Sequence, residues 1–153
     1  MSEVDVDTAT VRLQRTYDAP PEAVFDAWTN PEVLRRWWKA DSAWTVPIAE
    51  IDLRVGGGYR LSVDDPESGE NHTVVGEYRE VERPSRLVYS WTWEGTGRYA
   101  GHESLVAVDF RADGDCTTVL IEHTGLLDTQ SCEAHARGWN GVLDSLARQH
   151  ILD

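Results

Sequence analysis

Ser104, His102 and His123 lie on two neighbouring runs that alternate apolar and polar side chains, and His135 lies four residues before Trp139. A serine beside an imidazole is the pairing of a nucleophile with its base, and two imidazoles on a diagonal can share a metal. Both groups can also hydrogen-bond a ligand's polar atoms. The sequence supplies no third orienting group, no oxyanion feature and no third metal ligand, so neither a metal nor a cofactor is expected and no residue is assigned as catalytic. Large aromatics accompany these polar groups. Tyr89, Trp91 and Trp93 share one strand face with Leu87, and His135 and Trp139 sit one helical turn apart.

The elements that must position these residues follow from periodicity. Runs near His102–Arg111 and Thr117–Thr124 flank Asp113-Gly114, a strong hairpin signal. With those two residues as the loop, Ala112 faces Asp115, Phe110 faces Thr117, Val108 faces Val119, Val106 faces Ile121 and Ser104 faces His123. One face is then almost wholly apolar and ends in Ser104 and His123, with His102 diagonal to His123. The other face carries Glu103, Asp109, Arg111, Thr118 and Glu122, so the first face is the one to bury.

From Thr129 to His150, Cys132, His135, Trp139, Val142, Leu143, Leu146 and His150 recur at three- and four-residue steps, the pattern of a long amphipathic helix. Upstream, Thr10–Tyr17 alternates as a strand, with Val11, Leu13 and Arg15 on one face. Asp18-Ala-Pro-Pro-Glu22 and Asn30-Pro31-Glu32 open two short helices, with Asp18 expected to cap the first. Period-two runs follow near Ile48–Val55, Tyr59–Val63, Thr73–Val81 and Arg86–Glu94. Gly56-Gly57-Gly58 is a sharp or bulged hairpin rather than a phosphate loop, since it lacks the following Lys and does not open a helix. The order is a strand, two short helices, about six more antiparallel strands and one long helix, an α+β arrangement. A long helix lying across a curved sheet leaves a cavity between them.

Residues 1–153 are expected to form one domain, with residues 1–8 as a disordered tail. The net charge of −13, from one lysine (Lys39) and thirteen arginines against twenty-seven acids, disfavours nucleic acid and anionic membrane surfaces. No run approaches the ~18 apolar residues of a membrane span, and the acidic N-terminus lacks a signal-like apolar stretch, so a cytoplasmic protein without membrane insertion is expected. Cys116 and Cys132 are read as reduced structural thiols.

The ordered segments Asp18–Trp28, Asn30-Pro31-Glu32 through Trp37-Trp38, Gly57-Gly58-Tyr59-Arg60, Gly76–Val81, Pro84–Trp91, His123–Leu126 and His135–Trp139 span nearly the whole chain. Together they resemble the SRPBCC (START-like) superfamily, and within it the homologues of the activator of the heat-shock-protein-90 ATPase. The resemblance implies a helix-grip fold, a curved sheet of about six to seven antiparallel strands wrapped around the C-terminal helix over a hydrophobic cavity. In that superfamily the cavity carries lipids, cyclises polyketides or sequesters small apolar molecules. The eukaryotic co-chaperone has a further N-terminal domain that this chain lacks, so stimulation of a chaperone ATPase is not expected.

The expected function is non-catalytic binding of a small hydrophobic or aromatic molecule. Tyr89, Trp91, Trp93 and Trp139 would line the cavity, and Val106, Val108, Ile121, Val142 and Leu143 would supply apolar wall. His102, Ser104, His123 and His135 would orient a polar ligand group. Two alternatives stand beside it. One is a cyclase- or hydrolase-type enzyme using His123 or His102 as general acid or base. The other is an interaction or stress-related co-chaperone-like module with Trp37, Trp38 and Trp44 exposed for a partner, a second copy of the chain included.

Overall fold

In the computed structural model, which describes residues 3–6 and 9–153, eight strands and three helices follow one another. These are β1 (Glu3–Val6), β2 (Val11–Tyr17), α1 (Pro21–Thr29), α2 (Pro31–Trp37), β3 (Thr45–Ile51), β4 (Gly58–Asp64), β5 (Asn71–Glu82), β6 (Arg86–Trp93), β7 (Glu103–Asp113), β8 (Cys116–Thr124) and α3 (Thr129–Arg148). The eight strands pair antiparallel with one another, in the order β1-β2-β8-β7-β6-β5-β4-β3. Strand β2 closes onto the last strand while α1 and α2 carry the chain to the far edge, which makes the sheet a grip around α3. The α+β helix-grip expectation holds. Part of the expected tail, residues 1, 2, 7 and 8, lies outside the described residues, and between them β1 adds an edge strand that sequence periodicity did not show.

Local chemistry explains the helix boundaries. Asn30 caps α2, its side chain accepting from the Glu32 N–H at 3.1 Å, with Pro31 in the first turn. Asp128 caps α3 through the Ser131 N–H at 2.8 Å. Helix α1 departs from expectation, because Pro20 occupies the cap position without a side-chain bond. Asp18 instead lies 3.7 Å from the Cys116 thiol. Helix α3 ends at Arg148, and His150, expected on its inner face, is exposed and hydrogen-bonded to Asp153.

The β7–β8 register differs from the expected one by two residues. The loop is Gly114-Asp115, so Asp113 pairs with Cys116, Phe110 with Val119, Val108 with Ile121 and Val106 with His123. Gly114 has φ +62° while Asp115 keeps a negative φ, the pattern of a II′ turn rather than the I′ turn that Asp-Gly suggests. A shift of two preserves the alternation, so the predicted inner face is the buried one. Strand β3 also begins earlier than its apolar pattern suggests. Its predicted end, Asp52–Val55, instead turns into the glycine triplet, where Gly56 has φ +85° and a Cβ on Gly57 would meet the Asp52 carbonyl oxygen.

The core lies between the concave face of the sheet and the inner faces of the helices. Phe25 of α1 packs edge-on against Phe110 at 5.3 Å, and Trp28 against Trp37 at 5.1 Å. The Trp37 indole donates to the Ala27 carbonyl at 2.9 Å, fixing α2 against α1. Strand β2 holds α3 through Tyr17, whose hydroxyl donates to the Leu143 carbonyl at 2.8 Å, and through the Arg15–Asp144 ion pair at 2.7 Å. Among the described residues no helix is long and apolar enough to cross a membrane, and neither cysteine forms a disulfide.

Candidate functional site

Between α3, the end of β6 and the loops beside them, a cleft of about 710 Å³ opens. Five of the expected residues meet there: Trp91 and Trp93 from β6, and His135, Trp139 and Val142 from α3. Gly138 lies between the two aromatic turns of α3, and a Cβ built there would meet nothing within 4 Å. The far wall comes from Trp38, Lys39 and Ala40 after α2, with Trp44, Val63 and the β4–β5 turn at Glu70, Asn71 and His72. The loop Glu94–Ala100 covers the fourth side. It is held by Arg98, which pairs with the capping Asp128 at 2.5 Å, and by Glu94, which pairs with Arg60 at 3.0 Å.

The rings of this wall contact one another mostly edge-to-face. Trp91 touches Trp38, Trp93 and Trp139 with centroids 6.1, 5.4 and 5.3 Å apart, and Trp38 meets Trp139 at 5.7 Å and 83°. Trp44 lies over the His72 ring at 6.1 Å. Trp38 and Trp44 therefore belong with the cleft. The interaction-module alternative had placed both on an exposed patch.

Both inner histidines are fixed by tryptophan N–H groups. Trp139 Nε1–H donates to His123 Nδ1 at 3.0 Å, so the proton of His123 resides on Nε2, which donates to Ser104 Oγ at 2.8 Å. Ser104 Oγ–H is directed to the Trp91 carbonyl at 3.3 Å. Trp93 Nε1–H donates to His135 Nε2 at 2.9 Å, and His135 Nδ1–H donates to the Ser131 carbonyl at 2.7 Å. Each ring is thus a neutral tautomer with both nitrogens occupied, the two tautomers being opposite. Protonating either ring would set an N–H against an indole N–H. Burial, and to a lesser degree the neighbouring His135, holds His123 well below the ordinary imidazole value. Burial also lowers His135, against the opposing pull of the Ser131 carbonyl.

This geometry corrects the polar half of the expected site. Ser104 and His123 do come together, but the imidazole donates to the hydroxyl rather than accepting from it, so it cannot act as that serine's base. His102 is exposed, with Nε2 on the Gly125 carbonyl at 2.8 Å. Ser104, Val106, Val108, Ile121, His123 and Leu143 are buried in solid core and do not line the cleft. Tyr89 is buried as well, packed on Tyr59 and Tyr78 at 5.2 and 5.8 Å, with its hydroxyl accepting from Trp28 at 3.4 Å. Trp37 and Trp38, expected on an exposed interaction patch, are buried. Among the described residues no group of three or more His, Cys, Asp or Glu side chains converges as a metal site.

The sequence matches the family described as Activator of Hsp90 ATPase homolog 1-like protein over residues 18–150. Among solved structures, protein CV1439 from Chromobacterium violaceum is similar at 27% identity and TM-score 0.84, with 95% of this chain and 99% of that one covered. The AHSA1 protein from Silicibacter pomeroyi is similar at 26% identity and TM-score 0.81, covering 94% and 99%. A Rhodobacter sphaeroides protein at 20% identity shares the fold, with TM-score 0.80 over 99% and 95% of the two chains. Among proteins of curated function none matches this chain.

Proposed function

The chain belongs to the Activator of Hsp90 ATPase homolog 1-like family, and from that premise we propose that it binds a small apolar or aromatic molecule in the cleft between β6 and α3. The carrying observation is the cleft itself, about 710 Å³ and lined by four indoles from β6, α3 and the segment after α2, Trp38, Trp91, Trp93 and Trp139. That volume lies within the range of small-molecule sites. Rings committed only to core packing would have closed the space above Gly138. Each 100 Å² of apolar ligand surface removed from water contributes about 2.5 kcal/mol, from which the costs of association are subtracted.

Binding without catalysis is the favoured reading because both inner imidazoles have their nitrogens occupied, leaving neither a lone pair to take a substrate proton. The interaction-module reading loses its motive with Trp37 and Trp38 buried. We take the chain as one domain built around this cleft.

Gly138→Leu tests the reading, because its side chain projects into the open space without meeting protein at Cβ. The variant should fold and melt no lower than the parent. It should lose at least about tenfold in affinity for aromatic probes that quench tryptophan fluorescence, equivalent to about 1.4 kcal/mol. Probe affinity unaffected by filling the cleft would refute the assignment.

A further inference from the structure

We infer that the cleft selects organic cations, specifically planar or N-alkylated aromatic cations, over neutral or anionic molecules of the same shape. This rests on the cleft being the binding site. The walls are Trp38, Trp44, Trp91, Trp93, Tyr99 and Trp139. Their edge-to-face arrangement turns the rings in different planes, with Trp91 at 89° to Trp93 and Trp38 at 83° to Trp139. Rings lying in differing planes around one cleft can present more than one quadrupole to an onium group, since each quadrupole is negative on the ring's face.

Several groups that would serve an anion are already engaged, and the indole N–H of Trp91, which has no partner among the described residues, is buried in the wall. The indole N–H groups of Trp93 and Trp139 point to His135 and His123. The guanidinium of Arg98 is paired with Asp128. Both inner histidines are neutral, so they bring no positive charge. Lys39 extends its ammonium to the Ser42 carbonyl at 3.4 Å on the exposed rim.

The groups that would serve a cation are at hand. Glu70 lies at the cleft with a carboxylate oxygen 3.7 Å from His72 Nε2, and Glu94 lines the cleft while pairing with Arg60. A net charge of −13 adds a long-range field that concentrates cations and repels anions. The local charges of the lining nearly cancel. Discrimination therefore comes from the ring faces, Glu70 and the overall field.

The test uses three probes of near-identical shape, 1-methylquinolinium, 1-methylnaphthalene and 1-naphthoate, titrated calorimetrically into the intact protein and into Gly138→Leu. The expected result is 1-methylquinolinium binding at least about tenfold more tightly than 1-naphthoate at low salt, with the gap narrowing as salt is added. The double change Glu70→Gln/Glu94→Gln should narrow the gap between the cation and 1-methylnaphthalene. If 1-methylnaphthalene binds and Gly138→Leu abolishes it, but the anion binds as well as the cation, cation selection is overturned and the cleft assignment stands. If none of the three binds the parent protein, both are overturned.

Discussion

The two inner histidines illustrate how a pairing that looks catalytic becomes structural once tautomers are assigned. His123 and His135 lie ring to ring at 5.1 Å, each locked neutral by a different tryptophan. Their protonation is suppressed in the fold and free in the unfolded chain, which sets the sign of a pH effect. Above the ordinary imidazole value of 6.5 neither state binds the extra protons and stability is flat. Below it the unfolded chain takes them up first, so stability falls with pH by up to about 1.4 kcal/mol per pH unit for each histidine. Urea midpoints measured at pH 7.5 and 5.5 should therefore drop on acidification. His135→Gln, which keeps an acceptor for Trp93, should show a shallower drop, and equal stability at both pH values would contradict the locked-neutral assignment. The Ser104–His123 contact itself was readable from alternation even though the expected register was two residues off. Diagonal neighbours on one face still reach each other, here at 2.8 Å. The direction of the proton was not readable, because it depends on Trp139 arriving from a distant element.

Helix α3 carries two glycines one turn apart with opposite environments. Gly138 faces open space, whereas a Cβ on Gly141 would lie 2.7 Å from Ala40 Cβ and 3.0 Å from its Cα. Gly138→Ala should raise stability by up to about 1 kcal/mol through helix propensity alone. Gly141→Ala should lower it by about 1–3 kcal/mol, because the helix must back away from the segment after α2. Thermal melts of the two variants check this, and a shift in the same direction for both would show that the close approach to Ala40 is not limiting. Strand β5 shows a similar constraint. Gly76 lets Tyr59 cross the sheet and donate to the Ser90 carbonyl at 2.6 Å, where a Cβ would collide with that oxygen. Gly76→Ala should therefore damage β5–β6 pairing, read as loss of amide protection along β6. Periodicity made most of these elements visible, since inward-facing positions must be apolar along a half-buried strand. It could not show β1, whose four residues alternate acidic and apolar side chains at the acidic N-terminus, or the early start of β3, whose Pro47 sits in a strand at the sheet edge.

Over the whole molecule, charge is the dominant unbalanced quantity. Twenty-seven acids against fourteen bases repel one another across a compact body, even with local pairs such as Arg86–Asp109 at 2.9 Å. Raising ionic strength from about 0.01 M to 0.5 M shortens the screening length from about 30 Å to a few ångströms, and the melting temperature should rise. A melting temperature that falls across that range would mean that specific ion pairs outweigh the net repulsion. The same field acts on ligands approaching the cleft, which is why added salt belongs in the cation titration.

The ordered motifs implied the helix-grip architecture by resemblance, and alternation was sufficient for the buried face of the β7–β8 hairpin and the identity of the helix that crosses the sheet. The latter two depend on local periodicity, which a linear chain carries explicitly. Neither motifs nor alternation were sufficient to separate cleft from core. Val106, Val108 and Ile121 share the inward face with Trp91, yet they are enclosed by solid packing, while Trp91 and Trp93 border the open cleft. Whether an inward side chain meets solid packing or space is set by how elements and loops distant in sequence come together. The protonation of His123 and His135 is set in the same way, by which indole each one meets after folding.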